Sequence, residues 1–160
     1  MRRNPIVTGV IAGAVAASAT AGALVAMGRR LGSAALPFRA IADVFAGPGP
    51  RSLDASPGAV VSGIVAHLTI IVLWGLLFAL LVDRWRGRSV SAAIVVSIAA
   101  LAISWVMART FGRGLATVLP LGDRIVLAVV FALALVVGIR LALPRARADV
   151  MSSHHARDMM

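Results

Sequence analysis

The chain has 160 residues, of which 60% are hydrophobic, and its mean hydropathy is +0.96, well above the usage of water-soluble domains. Sixteen arginines, with no lysine, are opposed by six aspartates, with no glutamate, so the formal net charge is +10. This composition excludes an ordinary soluble globule, and the absence of cysteine excludes disulfides, thiolate metal sites and cysteine nucleophiles.

The arginines lie mostly beside long apolar runs rather than in one basic patch. Arginines in such positions contact the anionic headgroups of a membrane. Nothing in the chain resembles an RNA- or DNA-binding module. We therefore predict that the main partner is the lipid bilayer and that the protein does not bind nucleic acid.

The first apolar run covers residues 6–27 and is bounded by two arginine pairs. A cleaved secretory signal is the alternative, since residues 17–19 could form a small-x-small cleavage site. The run continues for eight residues beyond that point, which is longer than a signal core. We predict a retained first membrane helix.

Small residues recur every fourth position in this helix. One row contains Gly9, Gly13, Ala17 and Ala21, and a second contains Ala14, Ser18, Gly22 and Ala26. Such rows allow helix backbones to approach closely where no hydrophobic effect drives association. The pattern predicts two neighbours for the first helix, inside the bundle or at an oligomer interface. The alternative is simple alanine enrichment from a GC-rich bacterial genome.

Residues 37–46 form a short amphipathic segment. Phe38, Ile41 and Phe45 share one helical face, while Arg39 and Asp43 are spaced i, i+4 on the other. Ten residues are too few to cross a bilayer, so we expect an interfacial helix. The Gly-Pro-Gly-Pro sequence that follows ends it.

The second span is predicted over residues 59–82, which are 24 residues without formal charge. A helix of this length reaches roughly 36 Å and can cross a hydrocarbon core of about 30 Å. Its unusual residue is His67, which apart from Arg140 near the end of the fourth run is the only ionisable side chain inside the long apolar runs.

Two further spans are predicted over residues 90–108 and 125–143. The first of these has another row of small residues, Ala93, Ser97, Ala100 and Ser104. Together the four spans form a single transmembrane domain over residues 1–147, an all-α four-helix bundle, and residues 148–160 are expected to be a polar, disordered tail.

Four spans place both termini on one side of the membrane. That side has nine arginines and the other has seven, and the shortest connection is also the most basic. The positive-inside rule then predicts cytoplasmic termini in the inner (cytoplasmic) membrane. The side chains expected at headgroup depth are Arg84, Trp85, Arg86, Arg88, Trp105 and Arg140.

His67 has three interpretations. It can hydrogen-bond a hydroxyl across the bundle, from Ser97, Ser104, Thr8 or Thr20. It can line a pathway for a small solute or ion together with Ser18, Thr20, Ser97 and Ser104, since ionisable groups within membranes are functional candidates. Finally, Gly63 precedes it by one turn, and this small-xxx-His element resembles that of light-harvesting polypeptides. The resemblance implies that His67 binds a metal macrocycle, such as a pigment or haem.

The chain offers little for catalysis. All six aspartates lie at span ends or in loops, which disfavours proton-coupled transport, and no paired carboxylates or Ser-His-Asp arrangement can be recognised. We expect no enzyme activity and, most simply, no cofactor. The leading hypothesis is an accessory or assembly subunit, or a homo-oligomer, that acts through helix packing.

The order of the elements resembles small four-helix bacterial integral membrane proteins. These have a Gly/Ala-rich first helix, here Gly9, residues 12–13 and Ala17, and a histidine in the second, here Gly63 with His67, followed by residues 74–79. The resemblance covers about half of the chain. It implies the architecture and no particular activity.

Overall fold

The computed structural model describes residues 4–45, 56–85 and 87–142. Within these residues the chain forms five α-helices and one 3₁₀ turn: α1 Pro5–Arg30, α2 Leu36–Phe45, α3 Pro57–Arg84, α4 Ser89–Phe111, the turn Leu115–Thr117, and α5 Leu121–Leu141. Four of the described helices, α1, α3, α4 and α5, are long and apolar enough to cross a membrane. The predicted four-helix bundle with a short helix between the first and second spans is confirmed, and the protein is a multi-pass membrane protein.

The four long helices alternate in direction. The beginning of α1, the α3–α4 turn and the end of α5 lie at one end of the bundle, here called the termini end. The other end carries α2 and the α4–α5 connection and is called the α2 end. The predicted tail, residues 148–160, and Arg86 lie outside the described residues.

Helices α1, α3 and α4 extend beyond both ends of the apolar runs that predicted them, whereas α5 begins four residues before its predicted start and ends at Leu141, two residues before its predicted end at residue 143. The Asn4 side chain accepts a hydrogen bond from the Ile6 N–H at 3.0 Å, and α1 begins there. α4 ends where Gly112 adopts a φ of 64°, a left-handed conformation that favours glycine. α5 begins directly after Pro120, so its first turn includes Asp123 and Arg124, which the sequence had placed in a loop.

α1 is the central helix of the bundle and packs between α3 and α5. A Cβ added to Gly13 would lie 2.8 Å from the Cα of Val72 in α3, and one added to Gly138 of α5 would lie 2.6 Å from the Cα of Ala12. These distances show direct contact between helix backbones, as expected where small residues mediate association in lipid.

Two clusters of buried side chains fill the bundle. The larger one, centred on Phe78, Val96 and Leu135, joins the four long helices. The smaller one lies at the α2 end and includes Leu24 and Phe38. α4 packs chiefly against α5 and touches α3 much less, so the bundle is less tightly closed between α3 and α4.

α2 packs against α3, and the position of Asp43 corrects one prediction. Asp43 was expected on the polar face of α2 but is buried, with 5% of its surface exposed. Arg113 covers it, donating from Nη1 to the Asp43 carbonyl oxygen at 3.0 Å and lying 4.0 Å from its Oδ1. The loop after α4 therefore reaches α2 and removes Asp43 from the surface.

The side chains predicted at headgroup depth lie near the ends of the helices. Arg84, half-buried Trp85 and Arg88 surround the α3–α4 turn, and Arg140 is exposed in the last turn of α5. Trp105 is half exposed near the other end of α4, with the Arg109 guanidinium 4.9 Å from its ring centroid. Their contact with a membrane interface remains a prediction.

Candidate functional site

The first row of small residues on α1 is used within the chain itself. Gly9, Gly13 and Ala17 are buried, and Ala21 is half-buried. A Cβ on Gly9 would lie 2.8 Å from the Cα of Leu76. This row therefore holds α1 against α3 and is not available to another protein.

Two further glycines complete these contacts, and the sequence analysis did not assign them. A Cβ on Gly75 would lie 2.5 Å from the Cα of Gly13, and Gly138 supports the contact with α5. Each is a glycine among large aliphatic residues, which is the signal that could have identified it. Gly63, which was predicted to pack, is buried against the main chain of Phe38 in α2.

The row on α4 divides into two parts. Ala93 and Ser97 are buried, whereas Ala100 and Ser104 are half-buried. A cavity, and not only a neighbouring helix, lies against three residues of this row, Ser97, Ala100 and Ser104. Only the part of the row nearest the termini end is fully enclosed.

The second row on α1 lies on the outer surface of the bundle. Ala14, Ser18, Gly22 and Ala26 are all exposed, and nothing lies within 4 Å of a Cβ built on Gly22. The Ser18 hydroxyl donates to the Ala14 carbonyl at 3.0 Å and so needs no outside partner. This surface, the α1 outer face, is smooth and lined by small residues.

His67 is buried in the bundle and bonded to α1. Its Nε2 lies 3.0 Å from the Thr20 Oγ1, and 5% of its surface is exposed. Thr20 is one of the four hydroxyl partners that the sequence offered. Phe38 of α2 packs edge-on against the imidazole, with ring centroids 6.1 Å apart.

The hydroxyl of Thr20 fixes the direction of this hydrogen bond. Thr20 has one hydroxyl proton and donates it to the carbonyl of Ala16 at 2.8 Å, with Ala17 as a longer contact at 3.3 Å. Thr20 must then accept from the Nε2–H of His67.

The space that a macrocycle would need above Gly63 is occupied. The main chain of Phe38 lies there, so α2 covers the helix face one turn before His67. The Nε2 atom is also engaged by Thr20. This geometry favours the other interpretations of His67 over ligation of a pigment or haem.

A cavity of about 420 Å³ opens beside His67. It lies between α4 and the helices α3 and α5, where α4 departs from α3, and α2 borders it at one end. Thr20, His67, Ser97 and Ser104 all line it, whereas Ser18 faces the opposite surface. Most of the remaining wall is aliphatic or aromatic, including Trp74 and Phe131.

Two residues that line this cavity each have a buried polar atom with no hydrogen-bond partner among the described residues. These atoms are the Oγ of Ser97 and the Nε of Arg124. Arg124 lies in the first turn of α5, at the α2 end. Its neighbour in sequence, Asp123, is paired with Arg30 at 2.8 Å, an ion pair of the kind expected between loop carboxylates and arginines.

Comparison with protein-family models, with curated proteins and with solved structures gives no match to this chain. The functional interpretation therefore depends on the geometry alone.

Proposed function

We propose that the protein is a non-enzymatic membrane subunit that assembles through the α1 outer face, with a second copy of itself or with a helix of another membrane protein. The observation that carries the proposal is the exposure of Ala14, Ser18, Gly22 and Ala26 on one continuous surface. The first row of small residues already packs inside the bundle. The second row has no partner within the described residues and is therefore the surface on which another helix could pack.

The contrast with the other surfaces supports this assignment. Outward positions on α3 and α5 carry large branched side chains, such as Leu73, Leu80, Leu133 and Val137, each about half exposed. Lipid chains pack well against surfaces of that kind. A smooth face of small residues instead allows another helix to approach closely, so van der Waals contact between backbones can drive association in lipid.

The proposed location is the inner membrane of a bacterium, with both termini in the cytoplasm. The short, arginine-rich α3–α4 turn supports this orientation. Fusions of a phosphatase or a fluorescent protein to the C-terminus and to the α4–α5 connection test it. A periplasmic C-terminus would contradict the orientation without affecting the proposed interface.

The interface is tested by native mass spectrometry of the gently solubilised protein. Gly22→Leu places a large side chain on the α1 outer face, where nothing within 4 Å opposes it in the monomer. We expect it to lower the association constant at least tenfold, which corresponds to about 1.4 kcal/mol. Ala102→Leu, on an exposed position of α4, is the matched control and should leave assembly unchanged.

The same measurement distinguishes the two kinds of partner. A mass of two or more copies supports a homo-oligomer, and a defined second protein lost in Gly22→Leu supports an accessory subunit. A strict monomer in both variants and in the native chain would contradict the proposal. Gly13→Leu is unsuitable for this test because Gly13 contacts the α3 backbone directly.

The alternative function is a pathway for a small solute or ion. Four of the five side chains proposed to line it surround one cavity: Thr20, His67, Ser97 and Ser104. The rest of that wall is apolar and Ser18 is on the other side of α1. An apolar wall with a few polar groups is typical of a binding site rather than of a hydrated path.

A further inference from the structure

We infer that the cavity beside His67 binds a single-chain lipid that carries one carboxylate, a free fatty acid, with its head at Arg124 and its hydrocarbon chain between α3 and α4. This site is distinct from the α1 outer face, and neither proposal depends on the other. Four features of the cavity carry the inference: its wall, its length, its volume and its charge.

The wall is suited to a hydrocarbon chain. Leu101, Ile103, Leu127 and Phe131 belong to it, with Trp74 on α3. Pockets that are mostly apolar with a few placed polar groups are typical of small-molecule sites, and a volume of about 420 Å³ falls within the usual range of roughly 300–1,000 Å³.

The cavity is elongated along the helices. On α4 it extends from Ser97 to Met107, which corresponds to about 15 Å at 1.5 Å per residue. At its α2 end it reaches Arg124, Gly114 and the end of α2. A slot that begins near the end of the bundle and continues into its middle matches a molecule with a polar head and an extended tail.

The volume is consistent with a single chain. At about 420 Å³ the cavity lies near the small end of the usual range for ligand sites, roughly 300–1,000 Å³. We therefore assign it one acyl chain, and binding of a two-chain lipid is an outcome that the experiment below distinguishes.

The α2 end of the bundle carries an excess of positive charge. Six arginines and two aspartates of the described residues lie there, a difference of four positive charges. Both of these aspartates are already paired, Asp43 with Arg113 and Asp123 with Arg30. Arg124 lines the cavity, and its buried Nε–H has no partner among the described residues. A guanidinium with a free donor is the preferred protein partner of a carboxylate.

The deeper polar groups include no arginine. The Nε2–H of His67 is used by Thr20, and Ser97 can bond to a carbonyl of its own helix when a hydrocarbon lies beside it. A buried carboxylate next to these groups would lack the guanidinium that Arg124 provides. The ligand charge is therefore recognised at Arg124, and the chain extends towards Ser97.

Quenching of Trp74 fluorescence tests the site directly. In a Trp85→Phe, Trp105→Phe background, Trp74 is the only tryptophan and it lines the cavity. Dibromostearic acid titrated into the protein in nanodiscs should quench it saturably. Arg124→Gln should raise the half-saturating concentration at least tenfold, and Arg124→Lys should recover part of the affinity. Arg29→Gln, an exposed arginine at the same end, is the matched control.

Two further ligands distinguish a single-chain carboxylate in the cavity from uncharged or two-chain lipids. The methyl ester of the same acid lacks the charge and should bind at least tenfold more weakly, and a brominated two-chain phosphatidylglycerol should quench without saturation. Linear quenching by the free acid, or equal affinities in Arg124→Gln and Arg29→Gln, would overturn the inference. Saturable binding of the two-chain lipid would overturn the assignment of a single-chain ligand.

Discussion

Replacing Gly75 by alanine tests whether backbone contact between α1 and α3 holds the bundle together. The added Cβ would lie 2.5 Å from the Cα of Gly13 and 2.6 Å from the carbonyl oxygen of Gly9. Carbon atoms in ordinary contact are about 3.5–4.0 Å apart. The atoms on α1 belong to the backbone and cannot rotate away, so the two helices must separate by about 1 Å. Overpacking of this kind costs about 1–3 kcal/mol.

Gly58→Ala is the matched control on the same helix. Nothing lies within 4 Å of a Cβ at Gly58, and the residue is exposed, so alanine should be neutral or slightly stabilising through its better helix propensity. Unfolding by dodecyl sulfate in mixed micelles, followed by circular dichroism, should show Gly75→Ala to be less stable than Gly58→Ala by about 2 kcal/mol. Equal stability of the two variants would refute the claim that glycine contacts bring α1 and α3 together.

Two more predictions concern buried polar groups, and the same unfolding assay measures both. Thr20→Val leaves the Nε2–H of His67 unpaired and should lower the free energy of unfolding by about 0.6–2 kcal/mol. Adding His67→Phe to this variant should restore part of the lost stability, since both partners are then apolar. A double variant that is as unstable as the sum of the single variants would show that the bond contributes nothing. Asp43→Asn should be more destabilising than Asp123→Asn, because the pair of Asp43 is buried while the partner of Asp123 is 65% exposed. The reverse order would contradict the buried position of Asp43.

The number and type of the long helices were predictable because lipid leaves few choices. A chain in hydrocarbon must satisfy its own backbone, so each long apolar run of this sequence has to be a helix. The helix ends were less predictable. The start of α5 was expected at residue 125, since the charges of Asp123 and Arg124 seemed to exclude them, yet Pro120 sets the start and both residues lie in the first turn.

The positions of the helices relative to one another were not predictable from composition. The two rows of small residues on α1 are nearly identical in sequence, but one is buried against α3 and the other is exposed. The choice depends on Gly75 and Gly138, which are far away in the chain. The cavity was unpredictable for the same reason, because it exists only where α4 packs on α5 and leaves α3.

The central position of α1 has a consequence for biosynthesis. α1 leaves the ribosome before α3 and α5, which later pack against it, so their common partner is already in the bilayer when they are released. α4 packs mainly on α5, which follows it in the chain. A nascent chain arrested after α4 would therefore have the contacts of α1 with α3 but would lack the helix on which α4 chiefly packs.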